Sequence, residues 1–110
     1  MTSTQAAAGG ELSPYLHFQS HNFTSPQAGV RMLITGAVHG NEICGTEAIR
    51  RVMAQIESGE ILLQRGSVTF VPVANPLAYQ RQQREGDRNL NRRLRPTSTP
   101  QEFEDHVANW

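Results

Sequence analysis

The 110-residue chain is expected to be an α/β protein. Residues 30–38 and 66–76 are apolar runs rich in branched residues and bounded by glycine or proline, which is typical of buried strands. A helical pattern follows each run. The order strand, helix, strand, helix predicts parallel strands joined by right-handed crossovers. A chain of this length has room for one hydrophobic core and therefore for one domain.

The N-terminal part contributes less to this prediction. Residues 1–10 are small and polar and are expected to form a disordered tail, so that residues 11–110 make up the domain. In the segment PYLHFQSHNF, residues 14–23, Leu16 and Phe18 alternate with polar side chains. This alternation predicts a half-buried strand before the first apolar run.

The strand at residues 30–38 should be central in the sheet and buried on both faces. A helix over residues 41–58 should follow, with Gly59 at its C-terminal cap. The next strand should end at Pro76, before an arginine-rich loop at residues 81–95. The apolar positions of the first helix recur at helical spacing and are Ile43, Ile49, Val52, Met53 and Ile56.

The last segment predicts a second helix, capped by Thr99 and with Pro100 in its first turn. Phe103, Val107 and Trp110 share one face of this helix. The chain stops within the helical pattern, so this apolar stripe is expected to lack part of its packing partner. A structural fragment that docks on another chain through the stripe is therefore one open interpretation.

Composition excludes several classes of protein. Ten arginines, no lysine and ten acidic residues give a formal net charge of zero, which argues against binding to nucleic acid or to an anionic membrane. The N-terminus lacks a basic and an apolar signal region, so a cytoplasmic location is expected. The single cysteine, Cys44, is expected to be a small buried thiol. The sequence does not decide whether the chain forms a homo-oligomer.

The stretch MLITGAVHGNEICGTEAI, residues 32–49, places His39 and Glu42 where a strand ends and a helix begins. In α/β sheets, ligands bind at the carboxyl ends of strands. An imidazole and a carboxylate suit zinc, and a glycine between them allows a turn that directs both toward one cation. The alternative is a loop histidine and a first-turn acid that favours the helix dipole. The glycine spacing does not match a phosphate-binding loop.

The stretch NPLAYQRQQREGDRNLNRRL, residues 75–94, is rich in arginine but is interrupted by acidic residues. It has one aromatic side chain, so it is a poor platform for stacking bases. Asn91 and Arg92 suit a carboxylate, because a guanidinium binds it with two hydrogen bonds and an amide adds a donor. Arg84 could polarise a carbonyl group.

Together, HGNE after an apolar strand, then NP, then REGDRNLNR resemble the succinylglutamate desuccinylase and aspartoacylase family of zinc amidohydrolases. The resemblance implies a three-layer α/β/α domain with a mostly parallel sheet, similar to the zinc carboxypeptidases and incomplete in this chain. It implies one zinc ion per subunit held by His39 and Glu42. It also implies a catalytic Arg84 and a substrate carboxylate held by Asn91 and Arg92.

By the same resemblance, the complete enzyme hydrolyses the amide bond of a small N-acyl amino acid. The family usually has an aspartate where this chain has Asn89, which affects the charge around Arg92. Its third zinc ligand and general base are expected beyond Trp110, since His106 is interpreted as a surface or packing residue. The isolated 110 residues are therefore expected to be inactive. A non-catalytic carboxylate-binding module and a zinc carboxypeptidase acting on peptides remain alternatives.

Overall fold

A computed structural model describes residues 16–110 of the chain. The predicted tail, residues 1–10, and the start of the predicted first strand lie outside the described residues. Within residues 16–110, no helix is both long enough and apolar enough to cross a lipid bilayer. The elements follow in the order β1 (His21–Thr24), β2 (Arg31–Thr35), α1 (Cys44–Glu57), β3 (Ser67–Val71), α2 (Pro76–Arg81) and α3 (Phe103–Asn109).

The described strands form a three-stranded sheet in the order β1, β3, β2. Strands β2 and β3 run parallel, with Thr35 opposite Val71, and α1 connects them. Strand β1 pairs with β3 in the antiparallel direction, with His21 opposite Phe70. The predicted α/β class is therefore confirmed, as a small mixed sheet with helices.

The predicted central position of β2 is wrong for the described residues. Both β1 and β2 form hydrogen bonds with β3, which places β3 in the centre and β2 at an edge. Met32 and Leu33 of β2 are accordingly 54% and 65% exposed. An apolar run indicates that a strand needs cover on both faces, but it does not say which segment supplies that cover.

The first strand is shorter than predicted. Regular pairing covers only β1, and the residues before it, including Leu16 and Phe18, have no regular secondary structure. Both side chains nevertheless pack against the core. The alternating pattern therefore identified inward-facing residues but not the extent of the strand.

Helix α1 was predicted over residues 41–58 and begins three residues later, at Cys44. The residues before it form the turn that contains Glu42. Gly59 has φ +83 and is confirmed as the residue that ends the helix. The prediction of a buried Cys44 thiol is wrong, because Cys44 is exposed in the first turn of α1.

The end of the second apolar strand and the start of the last helix also differ from the prediction. Strand β3 ends at Val71 and not at Pro76, and the helix α2, which was not predicted, follows. Pro76 begins α2, because the side chain of Asn75 accepts a hydrogen bond from the Ala78 amide and caps the helix. The N-terminal cap of α3 is Glu102 and not Thr99. The Asp105 carboxylate accepts hydrogen bonds from the Gln101 and Glu102 amides at 3.0 and 3.1 Å, so the start of the helix is fixed by Asp105 and not by a bond to the Thr99 side chain.

Buried side chains form two clusters on opposite sides of β3, since alternate residues of a strand face opposite ways. Helix α1 covers one side, where its Ile49 packs with Val68 and Phe70. On the other side the predicted stripe of α3 is largely covered within the chain, while Trp110 stays 40% exposed and stacks on His17. This second cluster consists of Val71, Ala74, Leu77, Leu90, Phe103 and Val107.

Candidate functional site

The candidate site lies where β2 and β3 end side by side. Beyond the strands, the Gly36 amide donates to the Val71 carbonyl at 2.9 Å, and the Asn75 amide donates to the Ala37 carbonyl at 3.1 Å. The buried Thr46 hydroxyl donates to the Pro72 carbonyl at 2.7 Å. These bonds hold the segment after β2 against the segment after β3, so the turn that follows Ala37 has a defined position.

His39 and Glu42 face each other in this turn. The Nδ1 atom of His39 lies 3.3 Å from both carboxylate oxygens of Glu42. The His39 side chain is only 12% exposed, whereas the Glu42 side chain is 63% exposed. The pair therefore opens to solvent on the glutamate side.

The other ring nitrogen of His39 has a partner from a distant part of the chain. Its Nε2 lies 3.0 Å from Oδ1 of Asn89, which also accepts a hydrogen bond from the Asn91 amide at 2.9 Å. A backbone amide can only donate, so this Asn89 atom is the oxygen. The Nε2 atom of His39 must then carry the hydrogen that it donates to the same oxygen.

This arrangement determines which atom of His39 can bind a cation. In a neutral imidazole with hydrogen on Nε2, the Nδ1 atom has a lone pair, and here it faces the carboxylate of Glu42. Two acceptors at this distance repel each other unless a proton or a metal ion lies between them. Zinc bonds of about 2.0–2.1 Å in a tetrahedral site place neighbouring donor atoms about 3.3 Å apart. The two donors therefore fit a shared zinc ion.

The turn is held close to α2 and to the loop that follows it. The Gly40 amide donates to the Arg84 carbonyl at 3.3 Å. A Cβ atom on Gly40 would overlap the carbonyl of Ala78, so only glycine fits at position 40 while the turn lies this close to α2. The guanidinium of Arg84 lies 3.6 Å from the Glu42 carboxylate and is half exposed. Arg84 therefore reaches the open side of the pair.

Asn91 and Arg92 follow Asn89 and are exposed. Neither side chain contacts His39 or Glu42 through a hydrogen bond or ion pair of the described residues. Both line a groove of about 730 Å³. The groove starts beside the site, because it is lined by Val38 and Leu90, the sequence neighbours of His39 and Asn89. Leu33 and Trp110 also line it.

Two buried polar residues that were not predicted from the sequence support this region. The side chains of Asn75 and Glu104 are fully buried and joined by a hydrogen bond of 2.8 Å. Glu104 is spaced three residues from Val107, so the helical pattern itself placed this carboxylate on the apolar face. For Asn75 the signal was its position directly before a proline, which is typical of a helix cap.

A second acidic residue of α3 has a strongly shifted pKa. The Arg88 guanidinium donates to Asp105 at 2.8 Å, and the Gln101 and Glu102 amides donate to its other oxygen. These contacts hold the pKa of Asp105 far below its ordinary value, with the Arg88 bond as the largest cause. Arg88 is therefore fixed beside the helix and is not available to a substrate.

The structure thus brings together His39, Glu42 and Arg84, with Asn89 behind the histidine. Asn91 and Arg92 lie one step away, along the groove. Within residues 16–110, no third histidine, cysteine, aspartate or glutamate completes a group with the pair that could hold a metal ion. His106 is exposed, as predicted.

This α/β architecture, with an imidazole and a carboxylate at the strand ends, agrees with comparisons to known proteins. Residues 28–108 match the model of the succinylglutamate desuccinylase/aspartoacylase catalytic domain. The match covers most of the chain, and the chain belongs to this family. The resemblance found in its sequence motifs is therefore confirmed.

Individual relatives agree with this assignment. The chain is 42% identical over 77 residues to an N-acyl-aromatic-L-amino acid amidohydrolase (carboxylate-forming) of Rattus norvegicus, a match of 64% of this chain and 23% of the relative. An aspartoacylase family protein from Mesorhizobium loti superposes with a TM-score of 0.63 at 24% identity, over 84% of this chain and 36% of that one.

Succinylglutamate desuccinylase from Vibrio parahaemolyticus superposes with a TM-score of 0.62 at 22% identity, over 77% of this chain and 28% of that one. At such identities the two superpositions show the fold. The chain spans about a quarter of the length of the rat relative and about a third of the two solved structures.

Proposed function

We propose that this chain is part of a zinc-dependent hydrolase that cleaves the amide bond of a small N-acyl amino acid. The observation that carries the proposal is the approach of Nδ1 of His39 to both carboxylate oxygens of Glu42, at 3.3 Å. A zinc ion between them would take the place of a proton on Nδ1 and gain two of its ligands. Membership of an amidohydrolase family supports the same assignment.

The residues present suit this chemistry. When bound, zinc lowers the pKa of a water molecule and polarises a carbonyl group. His39 and Glu42 would hold the ion, and the Asn89 oxygen would keep the His39 ring in the orientation that presents Nδ1. Arg84 would donate to the carbonyl oxygen of the scissile amide, where negative charge develops. A third ligand and a general base are additional requirements of this mechanism.

Asn91 and Arg92 would bind the carboxylate of the substrate. Both are exposed at the groove beside the site, so they could hold a substrate carboxylate next to the turn that contains His39 and Glu42. The name of the rat relative specifies N-acyl-aromatic amino acids. We therefore propose that an aromatic or other apolar side chain suits this groove better than an acidic one.

Three further parts of the proposal concern the whole protein. Its catalytic domain would have the three-layer α/β/α architecture with a mostly parallel sheet that is typical of zinc carboxypeptidases. Its location would be cytoplasmic. It would take one zinc ion per subunit, with no nucleic-acid or membrane partner. Each part rests on the family and on the neutral net charge of the chain.

The test uses the full-length protein that contains this chain. Bound metal is measured by elemental analysis, and amine release is measured from N-acetylphenylalanine, N-acetylaspartate and N-succinylglutamate. We expect about one zinc per subunit, hydrolysis that stops on chelation, and the fastest turnover for the aromatic substrate. His39→Ala and Glu42→Gln should each lose the metal.

Glu47→Gln is the matched control, because Glu47 lies in the exposed first turn of α1 and has no contact with the pair. This variant should keep both zinc and activity. Zinc retained by His39→Ala, or full activity in metal-free protein, would contradict the proposal. Undiminished binding of N-acyl amino acids after chelation, without turnover, would instead favour a non-catalytic binding module, and hydrolysis of peptides alone would favour a carboxypeptidase.

A further inference from the structure

Glu104 is a buried carboxylate for which the proposed mechanism has no use. Its side chain is fully buried in the first turn of α3. Its Oε2 atom accepts hydrogen bonds from the Asn75 side chain at 2.8 Å and the Gly86 amide at 3.0 Å. Its Oε1 atom accepts from the Asp87 and Arg88 amides at 3.2 and 3.1 Å. Four donors occupy the four lone-pair positions of a carboxylate.

These four donors belong to the two segments that form the candidate site. Through Asn75, whose amide bonds the Ala37 carbonyl, Glu104 is connected to the turn that contains His39. Through residues 86–88 it holds the backbone between Arg84 and Asn89. One buried side chain therefore joins the segment of the His39 ring to the segment of its Asn89 partner.

The loop backbone at Gly86 lies very close to the Glu104 carboxylate. A Cβ atom on Gly86 would lie 2.6 Å from Oε2 of Glu104 and 2.9 Å from a methyl group of Leu77. Glycine at this position therefore permits the loop to approach the carboxylate. The loop is held from its other side as well, because the Phe103 amide donates to the Asp87 carboxylate at 2.8 Å.

We propose that Glu104 is a positioning residue, whose four hydrogen bonds keep Asn89 in register with His39 and Arg84 in register with Glu42. The proposal rests on the proposed function in one respect only, which is that the residues held in position take part in catalysis. The positions themselves can be measured without metal or substrate. A failure of the hydrolase assignment would therefore leave the outcome of the following experiment unaffected.

The test is Glu104→Gln in the isotope-labelled, metal-free form of the full-length protein that contains this chain, followed by nuclear magnetic resonance. Glutamine has the same shape, but its NH₂ group would face donors, so at least one pair of hydrogen bonds is lost. We expect amide exchange at residues 86–88 to accelerate about tenfold or more relative to global unfolding. We also expect the ring nitrogens of His39 to lose the signature of the Nε2–H hydrogen bond to Asn89.

Phe103→Leu is the matched control. Phe103 adjoins Glu104 in the same helical turn and packs in the core, so its truncation lowers stability while all four bonds to Glu104 remain. The control should leave the His39 signature unchanged. The proposal would be overturned if Glu104→Gln left either the His39 signature or the amide exchange of residues 86–88 unchanged. It would also be overturned if Phe103→Leu changed the His39 signature in the same way.

Asn75→Ser is a second variant, useful if Glu104→Gln does not fold. Serine is a favoured helix cap but lacks the NH₂ group that reaches Glu104. We expect the same change in the signature of the His39–Asn89 hydrogen bond, and its absence would overturn the proposal. Failure of both variants to fold, while Phe103→Leu folds, would limit Glu104 to a role in stability and would also overturn it.

Discussion

The two nitrogens of His39 have different partners, and this difference determines what the residue can do. Nε2 donates to an amide oxygen, and Nδ1 faces a carboxylate. A carboxylate behind a ligating histidine makes it more basic, whereas the amide of Asn89 provides orientation without charge. Asn89, at the position where the sequence motifs predict an aspartate, can keep this geometry but not the electrostatic effect of a carboxylate.

The first prediction tests this role of Asn89. We expect Asn89→Leu to weaken zinc binding about 10- to 100-fold, because the His39 ring loses the acceptor that fixes its tautomer. Asn89→Asp should bind zinc at least as tightly as the natural chain, because it keeps the acceptor and adds negative charge. Competition with a chelator in the full-length protein measures both. Equal affinity of the leucine variant would exclude a positioning role for Asn89.

The second prediction concerns the close approach at Gly40. Gly40→Ala should lower the free energy of unfolding by about 1–3 kcal/mol, because the new methyl group must push the turn away from the Ala78 carbonyl. Gly45→Ala in α1 is the control. Its methyl group would meet only the Gly36 Cα at 3.9 Å, and alanine favours a helix by about 1 kcal/mol. Urea denaturation should therefore show opposite signs for the two variants.

At the scale of elements, the segments predicted best were those stabilised by contacts between residues close in sequence. The presence of α1 and β3 was predicted, because the periodicity of α1, the apolar run of β3 and a glycine at position 59 are local signals, whereas the predicted end of β3 at Pro76 is wrong. Helix α2 is only six residues long, so it gives too little periodicity to be detected. The predicted start of α3 at Thr99 is wrong, because the Asp105 carboxylate binds the Gln101 and Glu102 amides and the helix begins after them.

The third prediction concerns the N-terminus of α3. The pKa of Asp105 is lowered from its ordinary value of 3.8 in the folded chain, chiefly by Arg88. The unfolded chain therefore binds more protons at acidic pH, and stability rises with pH in that range. The contribution of Asp105 is fully present above its ordinary pKa. It is lost progressively as the pH falls from about 4 toward the lowered value.

Asp105→Asn isolates this contribution, because asparagine cannot titrate. We expect the variant to be less stable than the natural chain at pH 6, and this difference to shrink steadily as the pH falls below 4. Denaturation by urea at a series of pH values measures the difference. The other carboxylates are common to both chains, so their effects largely cancel. A difference that stays constant with pH would contradict the assigned pKa shift.

At the scale of the whole molecule, one part of the site can be predicted from a short stretch of sequence. The other part depends on contacts between residues that are far apart in the chain. The pair His39 and Glu42 is three residues apart, so the sequence alone could place both side chains in one turn. Asn89 is 50 residues from His39, and Glu104 joins segments 16 to 29 residues away. These partners depend on how the loop folds back onto the strand ends, which becomes visible only in three dimensions.

The last prediction follows from the position of β2 at the sheet edge. Val30, Met32 and Leu33 are all more than half exposed there, and an uncovered apolar edge strand is a template for association. We expect the 110-residue chain on its own to self-associate with increasing concentration, as measured by light scattering. Leu33→Lys should suppress this association, because a charge opposes pairing at an edge. It should change the unfolding free energy by only about 0.5 kcal/mol.

The full-length protein should respond in the opposite way. If further strands of the proposed three-layer domain cover this edge, Leu33 becomes buried there, and Leu33→Lys would place an unpaired charge in the core. The variant should then lower the stability of the full-length protein while it improves the behaviour of the 110-residue chain. Gln64→Lys, on the exposed segment before β3, is a matched control that should leave both proteins unchanged. Equal tolerance of Leu33→Lys in both proteins would show that this edge stays uncovered.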